Sequence, residues 1–358
     1  MAAFRRLFAV ETWMRALTHP WIAHASLWGL VALVIAFRVW VADYERPLPV
    51  DGAESRLEVA KGAGLSQIAV QCKAKGWVDS PRFLSYYGRL FGYAGGLKAG
   101  EYRVTPGMNL KDLLHKMQKG DVVVYQITLV EGQTWRDYVR QLKDAENIES
   151  TIDPDDEKAL ATRLNEPYPT PDGLLYPDTY FYHKGETDFD ILQRAQRRLK
   201  EVLDREWQNR AQGLPYHSPY EALIMASIVE KETGVEAERA RIAGVFVRRL
   251  QQGMRMQTDP TVIYGLGKAY DGKLTKSHLQ TPNPYNTYLN IGLPPTPIAS
   301  AGVAAIHAAL HPAAGDELYF VATGEGKHKF SVTLAEHEQA VTQFQRNRRA
   351  DYRSSPKK

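Results

Sequence analysis

Residues 21–41 read WIAHASLWGLVALVIAFRVWV, an apolar run whose only titratable residues are His24 near one end and Arg38 near the other. About 20 such residues are what a helix needs to cross the hydrocarbon core of a bilayer. In lipid a helix is the only single-segment structure that satisfies its own backbone. Trp21 and Trp40 sit near the ends, where amphipathic rings favour the interface, and Arg38 is close enough to the end to snorkel. Arg5, Arg6 and Arg15 precede the run, while Asp43 and Glu45 come after it. The positive-inside bias then puts residues 1–20 in the cytoplasm and the rest of the chain outside. A cleaved signal peptide is the rival reading. The run is long for that role, and it lacks a good small-residue cleavage site. The expectation is an uncleaved single-pass span over residues 21–42.

The chain beyond this run is long enough for one or two ordinary cores: the protein has 358 residues, 44% hydrophobic and 24% charged. A formal charge of +4 gives no broad nucleic-acid footprint, so no nucleic-acid partner is expected. Cys72 is alone, which excludes an intrachain disulfide and a cysteine zinc cluster. A lone cysteine of this kind is expected to be a small buried hydrophobe.

Residues 43–52 are rich in proline and charge and read as a linker. A weak repeat comes next. Val59, Gly62, Leu65 and Ile68 share their spacing with Val104, Gly107, Leu110 and Leu113, and with Leu129, Gly132, Trp135 and Tyr138. Each unit reads as a strand, a glycine turn and the first apolar face of a helix. Tyr125, Ile127 and Leu129 alternate with Gln126, Thr128 and Val130, the period of a half-buried strand. Residues 53–150 resemble the LysM-like fold, small modules that often hold amino-sugar polymers; a generic α+β packing domain is the plainer alternative. Residues 141–165 are polar and acidic and read as a bridge. Residues 166–346 form a second, mixed α+β domain, with a hairpin around Gly324 and Gly326 and a last helix opened by Thr333 and Glu336. A basic tail, 347–358, closes the chain. The fold class is α+β behind one membrane helix.

The most informative stretch is residues 218–234, SPYEALIMASIVEKETG. Ser218 and Glu221 read as a capping box, Pro219 suits the first helical position, and Gly234 suits the left-handed position past the end. Glu230 and Glu232 point to different sides of this helix. Glu232 stacks on Val229, Ile228 and Met225; Glu230 stacks on Ser227 and Ala226. Glu232 is therefore the carboxyl more prone to desolvation, and it lies in the last turn, where the helix dipole disfavours negative charge. Both effects favour the protonated form, as a general acid requires. The competing reading is a structural acid paired with Arg239, Arg241, Arg248 or Arg249.

Downstream loops interleave tyrosine with amides and hydroxyls. Gln257, Thr258, Asp259 and Tyr264 lie in one; Tyr285, Asn286, Thr287 and Tyr288 lie in another; residues 292–298 form a proline-rich third. Rings stack on the apolar faces of sugars and amides meet hydroxyls, so these loops read as walls of a cleft. Taken singly, each is also a plain rigid turn.

These residues together carry a family resemblance. IVEKET at 228–233, QTDPTVIYG at 257–265, YNTY at 285–288, GLPPTPIASAG at 292–302 and LLYPDTYFY at 174–182 resemble the endolytic murein transglycosylases of the MltG (YceG-like) family. The resemblance covers nearly the whole chain. It implies a carbon–oxygen lyase of the inner membrane, facing the periplasm, that cuts the MurNAc–GlcNAc β-1,4 linkage of nascent peptidoglycan. It assigns the catalytic role to Glu232. Gln257, Thr258, Asp259, Tyr264, Tyr285, Asn286 and Thr287 become candidates for binding substrate. No cofactor or metal is implied; the expected partners are glycan strands, the membrane and peptidoglycan synthases.

Two alternatives stay open at this level. One is a muramidase that hydrolyses the same bond with Asp172, Asp178 or Asp259 as second carboxylate. The other is a non-catalytic wall-binding scaffold. His307 and His311 have the spacing of a helical zinc pair but lack the adjoining glutamate of H-E-x-x-H, and read as helix-surface histidines.

Overall fold

The computed structural model describes residues 20–50, 52–324 and 326–346. All but the last residue of the expected leader, 1–20, and the whole basic tail lie outside the described residues. Backbone contacts divide the chain into two compact units, with the break between Val124 and Tyr125.

The first unit opens with helix α1 (Pro20–Tyr44), and its stretch His24–Tyr44 is long and apolar enough to cross a bilayer. Leu27, Leu33, Ile35 and Val39 are exposed along it. Residues 43–50 turn back onto the unit, where the Leu48 N–H donates to the Met108 carbonyl at 2.8 Å. Next come β1 (Ser55–Val59), α2 (Leu65–Ala74), α3 (Pro81–Leu90), β2 (Gly100–Val104) and α4 (Leu110–Lys119). β1 and β2 pair antiparallel, with Ser55 opposite Val104 and Val59 opposite Gly100. Alternate residues Leu57, Val59, Tyr102 and Val104 face one core with Ile68, Leu84, Leu113 and Met117. Helices α2 and α3 approach closely at Gly88. A Cβ there would stand 2.4 Å from Leu65 Cδ2, so any larger residue would force the Leu65 side chain to move. Cys72 is buried in this core, which pushes its thiol up to about 12.

The second unit begins with β3 (Tyr125–Thr128), α5 (Trp135–Lys143), β4 (Ile148–Glu149), α6 (Glu157–Leu164), β5 (Thr179–Tyr182) and β6 (Glu186–Thr187). Helices α7 (Asp188–Gln208), α8 (Pro219–Glu232), α9 (Glu236–Gln251), α10 (Asp259–Leu266), α11 (Lys276–Gln280) and α12 (Val303–Leu310) come after these. The hairpin β7 (Tyr319–Ala322) and β8 (His328–Ser331) and helix α13 (Leu334–Val341) complete it.

The sequence repeat has a uniform structural meaning. In all three copies the glycine has positive φ (Gly62 81°, Gly107 89°, Gly132 75°), and the third residue after it opens a helix onto a core. Ile68, Leu113 and Tyr138, the last residues of each copy, are fully buried. The third copy nevertheless belongs to the second unit. Its strand β3 pairs antiparallel with β5, Tyr125 opposite Tyr182, so the break comes before residue 125 rather than near 150. Residues 141–165, which read as a bridge, are folded as well. Leu142, Ile152, Leu160 and Leu164 are buried with Trp135, Leu175 and Ile191 in one cluster. Their apolar positions are sparse among acids, which is why the stretch looks linker-like in sequence.

Helix α8 is the axis of the second unit. It packs against α12, α9, α7 and α10, and residues 222–229 are buried without interruption. The two-faced helix expected from its sequence is therefore buried on every side, as its nearly all-apolar interior allows. The hairpin forms as expected, with Tyr319 opposite Ser331 and Ala322 opposite His328, and Thr333 and Glu336 cap α13 reciprocally.

Candidate active site

Both ends of α8 differ in detail from the sequence expectation. The Ser218 hydroxyl accepts the Glu221 N–H at 3.3 Å, but the Glu221 carboxylate accepts from the His217 N–H at 2.7 Å rather than from Ser218. At the other end the chain leaves through an extended Thr233 (φ −146°) whose hydroxyl accepts the Val235 N–H at 3.0 Å. Gly234 is not among the residues of positive φ. The hydroxyl of Thr233 makes the exit turn, so a left-handed glycine is not needed.

The two carboxylates separate into distinct roles. Glu230 accepts the Gly302 N–H at 3.0 Å and lies 4.0 Å from Arg239, tying the 292–302 loop to the helix. Burial raises its pKa, and the Gly302 bond opposes that rise. Lys231 caps the Gly132 carbonyl at 3.0 Å. Glu232, the last helical residue, accepts a hydrogen bond from the Thr258 hydroxyl and forms no ion pair among the described residues. Burial pushes its carboxyl up to about 7, with the negative charge of Asp259 adding to the shift and the Thr258 bond and Arg249 opposing it.

Arg249 is the guanidinium nearest in effect, but it is committed elsewhere. Its Nε donates to the Leu318 carbonyl at 2.6 Å and its Nη1 to the Met256 carbonyl at 2.7 Å. It thereby staples α9 to the start of β7 and to the loop that carries Thr258. The buried charge still biases Glu232 without neutralising it.

Thr258 is itself held in place. Its N–H donates to Thr287 Oγ1 at 3.1 Å, and its carbonyl accepts from Thr261 Oγ1 at 2.8 Å. The Thr261 and Thr287 hydroxyls are 2.9 Å apart. One residue earlier, Gln257 adopts φ 54°, a left-handed conformation that costs a non-glycine residue of order 1 kcal/mol. Strain of this kind persists only where surroundings over-determine it, as the Gln257 N–H bond to the Thr287 carbonyl at 3.1 Å does here.

A cleft of about 480 Å³ opens over this carboxyl. Of the residues expected from sequence, Glu232, Gln257 and Asp259 line it. Tyr288 lines it too and donates to Asp259 Oδ1 at 2.6 Å. Arg249, Tyr319, Phe320, His328, His337 and Gln345 are the rest of its polar and aromatic wall. His337 stacks on Tyr319 with ring centroids 5.2 Å apart, and its buried Nδ1 has no hydrogen-bond partner among the described residues. Burial lowers its pKa, so the ring is neutral near pH 7. Sequence reasoning missed Tyr319, His328 and His337, because they come from the hairpin and from α13, far from the tyrosine-rich loops. Tyr288 was visible in the YNTY segment.

The remaining expected residues support the site from behind. Asn286 is fully buried, and its amide donates to the carbonyls of Thr281 at 2.9 Å and Leu279 at 3.1 Å. Thr287 is buried and holds Thr258. Tyr264 donates to Asp172 Oδ2 at 2.6 Å and packs edge-on against Tyr285, whose hydroxyl is 2.8 Å from that of Thr296. None of these four lines the cleft. Asp172 also accepts the Trp135 N–H at 2.9 Å; burial raises its pKa to about 6. Asp178 is exposed and holds the Thr179 N–H at 2.8 Å. Among the three candidate second carboxylates, only Asp259 lines the cleft.

His307 and His311 stack at 4.3 Å, and His307 Nδ1 is 2.9 Å from Glu206 Oε2. The three side chains could together offer ligand atoms to a metal. Glu206 is contributed by α7, and none of the three lines the cleft.

A model of the YceG-like family matches residues 57–343, most of both units. The chain belongs to the YceG-like family. A Bacillus subtilis (strain 168) protein named endolytic murein transglycosylase is 32% identical over 305 residues, covering 80% of this chain and 84% of that protein. The Streptococcus pneumoniae D39 protein of the same name is 26% identical over 334 residues, covering 83% of this chain and 60% of that longer protein. A crystal structure of a YceG-like protein from Listeria monocytogenes aligns with a TM-score of 0.51 at 31% identity, over 80% of this chain and 98% of that one. The matched residues 57–343 include Glu232, Thr258 and the cleft wall up to Val341.

Proposed function

We propose that this YceG-like protein is an endolytic peptidoglycan lytic transglycosylase, anchored by α1, with Glu232 as its acid and base. The observation that carries the reading is a carboxyl at the end of a buried helix, raised to about 7 and facing an open cleft. Such a group keeps its proton near neutral pH and can still lose it.

The reaction needs one such carboxyl. Protonated Glu232 gives its proton to the glycosidic oxygen between MurNAc and GlcNAc as the C1–O bond breaks, and the GlcNAc end leaves with a free 4-hydroxyl. Glu232, now a carboxylate, takes the proton from the C6 hydroxyl of the same MurNAc, whose oxygen closes onto C1. The product is a 1,6-anhydro end, no water is consumed, and the enzyme returns to its starting protonation. Asp259, held by Tyr288, lies on the same cleft wall and suits stabilisation of positive charge at C1. Gln257 and Tyr288 suit the hydroxyls and apolar faces of the sugars.

Asp259 is also the one observation that favours the hydrolytic alternative, since a muramidase pairs its acid with a second carboxylate. The two differ by one water in product mass. Digestion of defined glycan strands by the wild type and Glu232→Gln, read by mass spectrometry, tests both. The lyase reading requires anhydro ends from the wild type and none from a folded variant; hydrated ends would replace it with hydrolysis.

The first unit, with two antiparallel strands flanking a helix pair, supports a LysM-like glycan-holding role. A single-pass orientation with the cleft in the periplasm is the reading that the charges around α1 support. Termination of strand elongation beside a peptidoglycan synthase is the corresponding cellular role.

A further inference from the structure

Helix α3 has two apolar faces. Leu84, Tyr87 and Gly88 face the core of the first unit. On its other side Phe83, Tyr86 and Leu90, at i, i+3 and i+7, form a stripe that is 55%, 60% and 61% exposed, and Phe91 continues it at 44%. Stripes of this size on a soluble surface mark a contact. Arg82 and Arg89 flank it and are exposed.

The position of this stripe relative to α1 says what covers it. Tyr87, in the middle of α3, meets Tyr44 at 4.9 Å and Trp40 at 6.1 Å between ring centroids, and Phe91 at 4.7 Å. Trp40 and Tyr44 are in the last turns of α1. About 20 residues of α1 span the hydrocarbon, so its apolar run, ending at Val41, leaves these two rings at the lipid–water boundary. A helix clamped to them lies at the same level. Its outward aromatic stripe with flanking arginines is the pattern of a helix lying in the headgroup region.

We propose that α3 is an interfacial membrane helix: Phe83, Tyr86, Leu90 and Phe91 enter the outer surface of the bilayer in which α1 is anchored and hold the first unit flat against it. The inference rests on the single-pass reading of α1. The occupant is lipid, not protein, because the stripe is continuous with the end of a lipid-facing helix and the two charges that α3 itself carries, Arg82 and Arg89, are cations, while the acids Asp43, Glu45 and Asp79 lie off the helix near the Tyr44–Tyr87 contact.

The lone cysteine makes the test direct. Cys72 is 1% exposed with its thiol raised to about 12, so it resists labelling, and a cysteine introduced elsewhere can be labelled in the native background. Full-length Leu90→Cys and Tyr86→Cys, with Lys61→Cys as the exposed control, would carry an environment-sensitive fluorophore. They would be reconstituted into phosphatidylethanolamine–phosphatidylglycerol vesicles with or without spin-labelled quencher lipid. Expected are blue-shifted emission at 86 and 90 and loss of roughly half of it to the quencher, as suits a depth of about 5–10 Å, with water-like emission at 61. Water-like emission at 86 and 90 in protein that floats with the vesicles and resists alkaline wash overturns the proposal while leaving the anchor intact. Failure to float overturns the anchor, and the proposal with it. A blue shift that quencher lipid leaves untouched and that rises with protein density assigns the stripe to a protein contact and equally overturns it.

Discussion

The Thr258 hydroxyl donates to Glu232 Oε1 across 26 positions of sequence, joining the first residue before α10 to the last residue of α8. This bond stabilises the carboxylate and so opposes the burial that favours the acid. The site balances the two, and a balance point near pH 7 suits the acid–base role proposed for Glu232.

Glu232→Gln is expected to lower the rate of anhydro-end formation by about 10²–10⁴-fold, the usual contribution of a general acid–base group. In the wild type, kcat/KM should fall as pH rises through about 7, because the form that donates is protonated. Initial rates on glycan strands between pH 5 and 9 check this. A profile flat from 6 to 8 would remove Glu232 as the acid.

The same substitution should stabilise the fold in alkaline solution. The folded pKa is raised above the unfolded one, so the wild type loses stability as pH rises from about 4.5 through 7, while the glutamine has no charge to bury. Glu232→Gln is expected to gain roughly 1–3 kcal/mol at pH 8 and close to nothing at pH 4. Urea unfolding at the two pH values measures the difference.

Thr258→Ala removes a donor to the carboxylate and should move the descending limb of the pH profile upward, while lowering the rate about tenfold through lost orientation. Thr258→Ser keeps the hydroxyl and should restore the limb. A purely structural role for Thr258 would change stability and leave the limb where it is.

Asn286→Ala should act on the fold and not on the chemistry. Its amide is buried and satisfies the carbonyls of Leu279 and Thr281, so its loss is expected to cost about 2–3 kcal/mol by thermal or urea unfolding. Asp259→Asn should do the reverse, lowering kcat with little change in stability, since its carboxylate is exposed in the cleft.

Much of the local structure was legible in the chain. The apolar run, the Val–Gly–Leu–Ile spacing, the hairpin and the Thr333 cap each depend on neighbours within a few residues, and all four form. The C-terminal exit of α8 was misread because a threonine hydroxyl replaced the left-handed glycine turn. The linker-like stretch 141–165 was misread because its few apolar residues become a core face only against β5 and α7.

Sequence alone determined that Glu230 and Glu232 leave the last turn of α8 on different sides, with Glu232 on the side of Met225, Ile228 and Val229, since helical periodicity is a property of one segment. Only the tertiary structure decided that Glu230 is tied to the backbone of Gly302 while Glu232 faces the cleft, that Asn286 and Thr287 brace the site instead of lining it, and that Tyr319 and His337 complete its wall. Those outcomes depend on segments up to about a hundred residues apart meeting at one place, and burial and hydrogen bonding across such distances leave no periodic trace in the chain.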